Sequence, residues 1–141
     1  MKKMTSMFLA AIFAASAVAI GAEQPKQNPE ILKSYLSIQE QLAIDSLKDV
    51  SSSASEISKL SQNEKLKTSA LTLSKDADLK TARKHFKALS AEMDAWAKKE
   101  KPPGIDRVSC SMAKATWLQK HGPIMNPYYG KDMQDCGEIL E

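Results

Sequence analysis

The stretch DADLKTARKHFKALSAEMDAWAKKEKPPG at positions 76–104 decides the reading of the fold. Leu79, Ala82, Phe86, Leu89, Met93 and Trp96 recur at steps of three and four, which places them on one face of a helix. Lys98, Lys99 and Lys101 suit the negative end of a helix dipole, and Lys101-Pro102-Pro103-Gly104 stops the chain. A helix over about 76–99 is expected. Its other face carries Lys80, Arg83, Lys84 and Lys87, which reads as a solvated basic face. His85 also falls off the apolar stripe and reads as a surface residue.

Upstream of this helix the same period recurs. Asn28-Pro29-Glu30 has the form of a helix start, with Asn28 as cap and proline at the first helical position. Ile31, Tyr35, Ile38 and Leu42 follow at helical spacing, so a helix over about 29–50 is expected. Ser51-Ser52-Ser53 interrupts it, and Ser53 with Glu56 resembles a capping box. The apolar pattern weakens at Ser61-Gln62-Asn63 and resumes at Leu66, Ala70, Leu71 and Leu73, which predicts one broken helix or two short ones. Strand signals are absent up to Gly104. The predicted fold is all-α: a small up-and-down bundle of three to four helices over 28–101. A loop-rich segment over 105–141 is expected to pack on it, with one short helix near 112–120 closed by His121-Gly122-Pro123.

The N-terminus reads as an export signal. Met1-Lys2-Lys3 is basic, positions 8–20 are apolar but too short to span a bilayer, and Ala17-Val18-Ala19 has the form that signal peptidase cuts. Residues 1–22 are therefore expected to be removed, leaving 119 of 141 residues as one periplasmic domain without a membrane span. The formal charge of +3 falls to +1 once Lys2 and Lys3 are gone. A nearly neutral domain has no electrostatic reason to seek nucleic acid or an anionic membrane.

Chemistry concentrates in the tail. Cys110 and Cys136 lie 26 positions apart. In an oxidising compartment they would form a disulfide, worth roughly 3–4 kcal/mol for a loop of that length. The alternative is a soft-metal site. Thiolates and thioethers select Cu(I), and Cys110, Met112, Met133 and Cys136 supply four sulfur donors, with Met125 and His121 behind them. Neither cysteine has a zinc-type partner two to four residues away. No acidic pair sits in an apolar setting, and nothing near Cys110 and His121 would stabilise an oxyanion, so the chain does not read as an enzyme.

The tail also carries a resemblance. Cys110-Ser111-Met112-Ala113, Trp117-Leu118-Gln119, Ile124-Met125-Asn126-Pro127-Tyr128-Tyr129-Gly130, Met133 and Cys136-Gly137-Glu138 occur in this order. Together with Arg83, Phe86, Leu89 and Ser90 they resemble an uncharacterised helical domain family of bacterial exported proteins. That family also occurs fused to periplasmic adaptor subunits of copper/silver-type efflux systems. The resemblance implies a helical fold, a periplasmic location, a metal-efflux component as partner, and a soft-metal role on an even footing with the disulfide. The expected function is therefore binding or handing over a soft metal ion, above all Cu(I), and the alternative is a non-catalytic structural or interaction module closed by a Cys110–Cys136 disulfide. Ser111 stands where the family pattern commonly has proline, which leaves the backbone between Cys110 and Met112 less stiff.

Overall fold

A computed structural model describes residues 27–141; the expected signal peptide, residues 1–22, lies outside them. Four helices come first: α1 (Pro29–Ala43), α2 (Val50–Leu60), α3 (Glu64–Leu73) and α4 (Leu79–Glu100). Among the described residues, no helix is long and apolar enough to cross a membrane.

Local chemistry sets the helix ends. Asn28, Asn63 and Asp78 cap α1, α3 and α4 with side-chain oxygens that accept backbone N–H bonds from the first turn. The first helix is shorter than its apolar pattern predicts. It stops at Ala43 because the chain turns through left-handed conformations at Asp45 (φ 60°) and Asp49 (φ 59°), after which α2 begins at Val50. Ser53 accordingly lies inside α2 and does not cap it.

The all-α expectation fails after Gly104. The chain forms a β-hairpin, β1 (Ile105–Cys110) and β2 (Ala115–Lys120), and returns as β3 (Glu138–Leu140). The sheet is antiparallel in the order β2-β1-β3, with Val108 opposite Trp117 and Ile139, and Ser109 opposite Thr116 and Glu138. The helix expected over 112–120 is therefore a turn followed by a strand, and His121 ends a strand. The physical reason is two-residue alternation. Opposed residues share a sheet face, so Val108, Cys110, Trp117 and Gln119 line one buried face. Arg107 and Leu118 point the other way, where Arg107 meets Asp94 of α4 at 2.8 Å. A helix would scatter these residues around its circumference.

The sheet does not rest outside the helices as an appendage. β2 lies against both α4 and α1. Tyr35 of α1 and Phe86 of α4 stack at 5.3 Å; Phe86 meets Tyr128 at 5.9 Å; Tyr128 meets Trp117 edge-on at 6.0 Å. Tyr35, Phe86, Leu89, Met93, Trp117 and Leu118 have no exposed surface and belong to one hydrophobic cluster. The Tyr35 hydroxyl bonds Ser90 Oγ and accepts the Leu118 N–H at 3.0 Å. That bond satisfies a backbone donor on the outer edge of β2, and burial pushes the Tyr35 phenol well above its ordinary value.

Candidate functional site

The tail is latched to the bundle by residues that the sequence motif contains but whose roles its spacing hides. Asn126 is fully buried. Its Oδ1 accepts the N–H groups of Tyr128 and Tyr129, and its Nδ2 donates to the Cys136 carbonyl at 2.7 Å. Its backbone N–H donates to the Gln134 carbonyl at 2.8 Å. Asn126 thus holds together the two arms of the loop that precedes β3.

Arg83 fastens that loop to the helices. Its Nε donates to the Pro127 carbonyl, and its Nη2 donates to the Leu42 carbonyl and to Asp45 Oδ1 at 2.6 Å. Its side chain is only 19% exposed, so Arg83 does not belong to a solvated basic face. His85 likewise is not free on the surface, because its Nδ1 lies 2.8 Å from Asp76. Asp45 Oδ2 also accepts the Lys131 N–H. Gln39 and Gln134 add cross-links to the Met125 and Ala43 carbonyls. Gly130, at φ +55°, passes so close to Asp45 and Arg83 that a side chain there would overlap both.

The Arg83 guanidinium, together with the Lys131 N–H, holds the Asp45 carboxyl below the aspartate value of 3.8; the Thr81 N–H does the same for the Asp78 cap. A carboxyl with a lowered folded-state pKa adds stability above its unfolded value, and that stability fades as pH falls through the folded value. Thermal midpoints are expected to fall as the buffer is taken from about pH 6 to about pH 3, and Asp45→Asn should flatten part of that slope. A slope identical in the variant would show that Asp45 contributes nothing to it.

This latch brings the two cysteines together. Cys110 closes β1 and faces inward beside Val108. Cys136 lies in the turn before β3, whose pairing with β1 carries it back to the strand end. Gly137 makes the approach possible, since a side chain there would press on Trp117 and Val108. The Cys110 and Cys136 sulfurs are 2.7 Å apart and are not joined by a bond in this structure. Cys110 is 2% exposed and Cys136 is half-buried. The Ala113 N–H donates to Cys110 Sγ at 3.4 Å. Burial pushes the Cys110 thiol up, but the Cys136 thiol and the N–H groups of Ala113 and Met112 outweigh it, and the net shift is downward. Cys136 moves up, chiefly through its bond to Cys110.

The other candidate ligands stand differently. Met112 is 61% exposed in the hairpin turn. Met125 and Met133 are half-buried, and their backbone groups serve the loop: the Met125 N–H donates to Gln119, and the Met133 carbonyl accepts the Cys136 N–H. His121 follows Lys120, which pairs with Ile105 at the end of β1 remote from Cys110. Five strand steps separate those ends, about 17 Å, and His121 Nδ1 lies 3.2 Å from Asp106 instead. Among the described residues, no group of three or more His, Cys, Asp and Glu side chains is placed to hold a metal ion. Neither a protein-family model nor a curated protein nor a solved structure matches the chain.

Proposed function

We propose that this protein is a non-catalytic structural or interaction module of an oxidising compartment, the periplasm, in which a Cys110–Cys136 disulfide closes the sheet and loop onto the helices. The observation that carries this reading is the 2.7 Å approach of the two sulfurs. A sub-ångström movement brings them to the S–S bond length of about 2.05 Å, and the space between them is too small for an ion. Thiolate–zinc bonds, for comparison, run to about 2.3 Å each. The surrounding side chains support a structural role as well. Asn126, Tyr128 and Gly130 are spent on hydrogen bonds and packing that position the loop.

A second reading has its own supporting observation. Against the effect of burial, the Cys136 thiol and, behind it, the Ala113 and Met112 N–H groups draw Cys110 toward its thiolate, the form that binds a soft ion. In the reduced state, moving the sulfurs apart by roughly 1–2 Å more, as two metal–sulfur bonds of about 2.3 Å require, would admit Cu(I) between Cys110 and Cys136, with Met112, Met125 and Met133 as the nearest further sulfurs in sequence. On this reading the partner is a metal-efflux component. His121 has no part in it.

Intact mass of the protein purified from its native compartment, with and without reductant and alkylation, tests both. The expected result is a mass two hydrogens light, with thiols that alkylate only after reduction. Reduction should then lower stability by roughly 3 kcal/mol. Thiols that alkylate freely before reduction would sink the disulfide reading, and protection of both by one added copper would establish the second.

A further inference from the structure

We propose that Cys136 is the sulfur at which an incoming dithiol exchanges with the Cys110–Cys136 disulfide, and that Cys110 is the thiolate that leaves. The inference rests on the disulfide reading above and adds a direction to it.

The two sulfurs differ in access. Cys110 Sγ sits on the inner face of the central strand, in line with Val108, and the residue is 2% exposed. Cys136 is half-buried on an irregular turn, between Met133 and Gly137. Exchange requires a thiolate to approach one sulfur along the S–S axis from the side opposite the other. Cys136 is the more exposed of the two residues, whereas Cys110 is almost wholly covered and borders solvent only at the depression that it helps to line.

The protein is also prepared for negative charge at one end only. The Ala113 N–H already points at Cys110 Sγ. A thiolate that receives a backbone N–H has its pKa lowered, and the thiol of lower pKa leaves faster.

The step balances as an ordinary two-electron exchange. The incoming thiolate bonds to Cys136 Sγ, the Cys110–Cys136 bond breaks, and its electron pair stays on Cys110. The second thiolate of the dithiol then attacks the dithiol's own sulfur in the mixed disulfide. Cys136 is released as a thiolate and takes a proton from solvent. The dithiol is oxidised to a disulfide and the Cys110–Cys136 pair is reduced.

Glutathione, which has one thiol and cannot complete the second step, is the probe. The oxidised full chain is exposed to it briefly, quenched with acid, alkylated and peptide-mapped. Glutathione is expected on Cys136 and the alkyl label on Cys110, in excess over the reverse pattern by on the order of tenfold. Glutathione on Cys110, or an even division, overturns the proposal. That outcome would point to entry through the depression of about 370 Å³ beside Cys110, which Lys87, Ser111 and Lys114 help to line. Starting protein that resists oxidation, with thiols alkylated before glutathione is added, overturns the disulfide reading itself and the direction with it.

Discussion

Gly130→Ala is expected to destabilise the protein by about 3 kcal/mol or more, and to lower the melting midpoint by roughly 10 °C or more. Two effects add. Gly130 sits at φ +55°, where a side chain costs roughly 1–2 kcal/mol. A Cβ there would also overlap Asp45 Oδ1 and Arg83 Nη2. Neither atom is the loose end of a solvated chain. Asp45 Oδ1 holds the guanidinium, and Arg83 also holds the Leu42 and Pro127 carbonyls. Displacing them exposes or orphans partly buried acceptors, each worth on the order of 1–3 kcal/mol. Gly104→Ala separates the two effects. Gly104 has φ +71°, but nothing lies within 4 Å of its missing Cβ, so only the backbone cost of about 1 kcal/mol is expected. Chemical denaturation of both variants measures the difference. Equal losses would mean that the Asp45–Arg83–Gly130 contact does not hold the tail.

The helical half of the molecule is readable in the sequence because burial follows a single period there. Phe86, Leu89 and Met93 recur at three and four residues, and each is fully buried in α4. The hairpin is hidden for two reasons. Met112, Ala113, Lys114, Ala115, Leu118 and Gln119 are good helix formers, and strand preference depends on packing partners more than on intrinsic propensity. What fixes β2 is external to it: the Tyr35 hydroxyl at the Leu118 N–H, Tyr128 beside Trp117, and the Tyr128 hydroxyl on the Thr116 carbonyl. The alternation of Val108 and Cys110 against Arg107 and Ser109 was the available signal, in a run too short to outweigh the helical pattern before it.

The candidate site divides in the same way. Cys110 and Cys136 stand out by residue type, but their adjacency depends on β1–β3 pairing across 26 positions of chain. His121, which ranks behind the sulfurs in sequence, lies at the far end of the hairpin. Arg83 lies among lysines on a polar helix face, and only the carbonyls of Leu42 and Pro127 reveal its work. Long-range contacts of single side chains leave no period to detect.

Trp117→Ala tests whether the tail is integral to the fold. The expected cost is about 3–5 kcal/mol, with the helices and the tail lost in one transition. Trp117 has no exposed surface and packs on Tyr128, which in turn meets Phe86 in the centre of α4. Its Nε1–H donates to Gln119 Oε1, which also accepts the Met125 N–H, while Gln119 Nε2 reaches the Pro123 carbonyl. Truncation therefore opens a cavity and loosens the hydrogen bonds that shape the loop ahead of Asn126. The chain has two tryptophans, so the variant retains Trp96 of α4 alone, a fluorescent reporter on the bundle. If sheet and helices share one core, Trp96 emission and helical circular dichroism will shift to the same lower midpoint. If the tail is instead a lid that can detach from a self-sufficient bundle, both signals will keep the wild-type midpoint while Cys110 and Cys136 become open to alkylation after reduction. Coincident loss would place the cysteine pair inside the cooperative unit, where closing it stabilises the whole domain and reducing it weakens the whole domain.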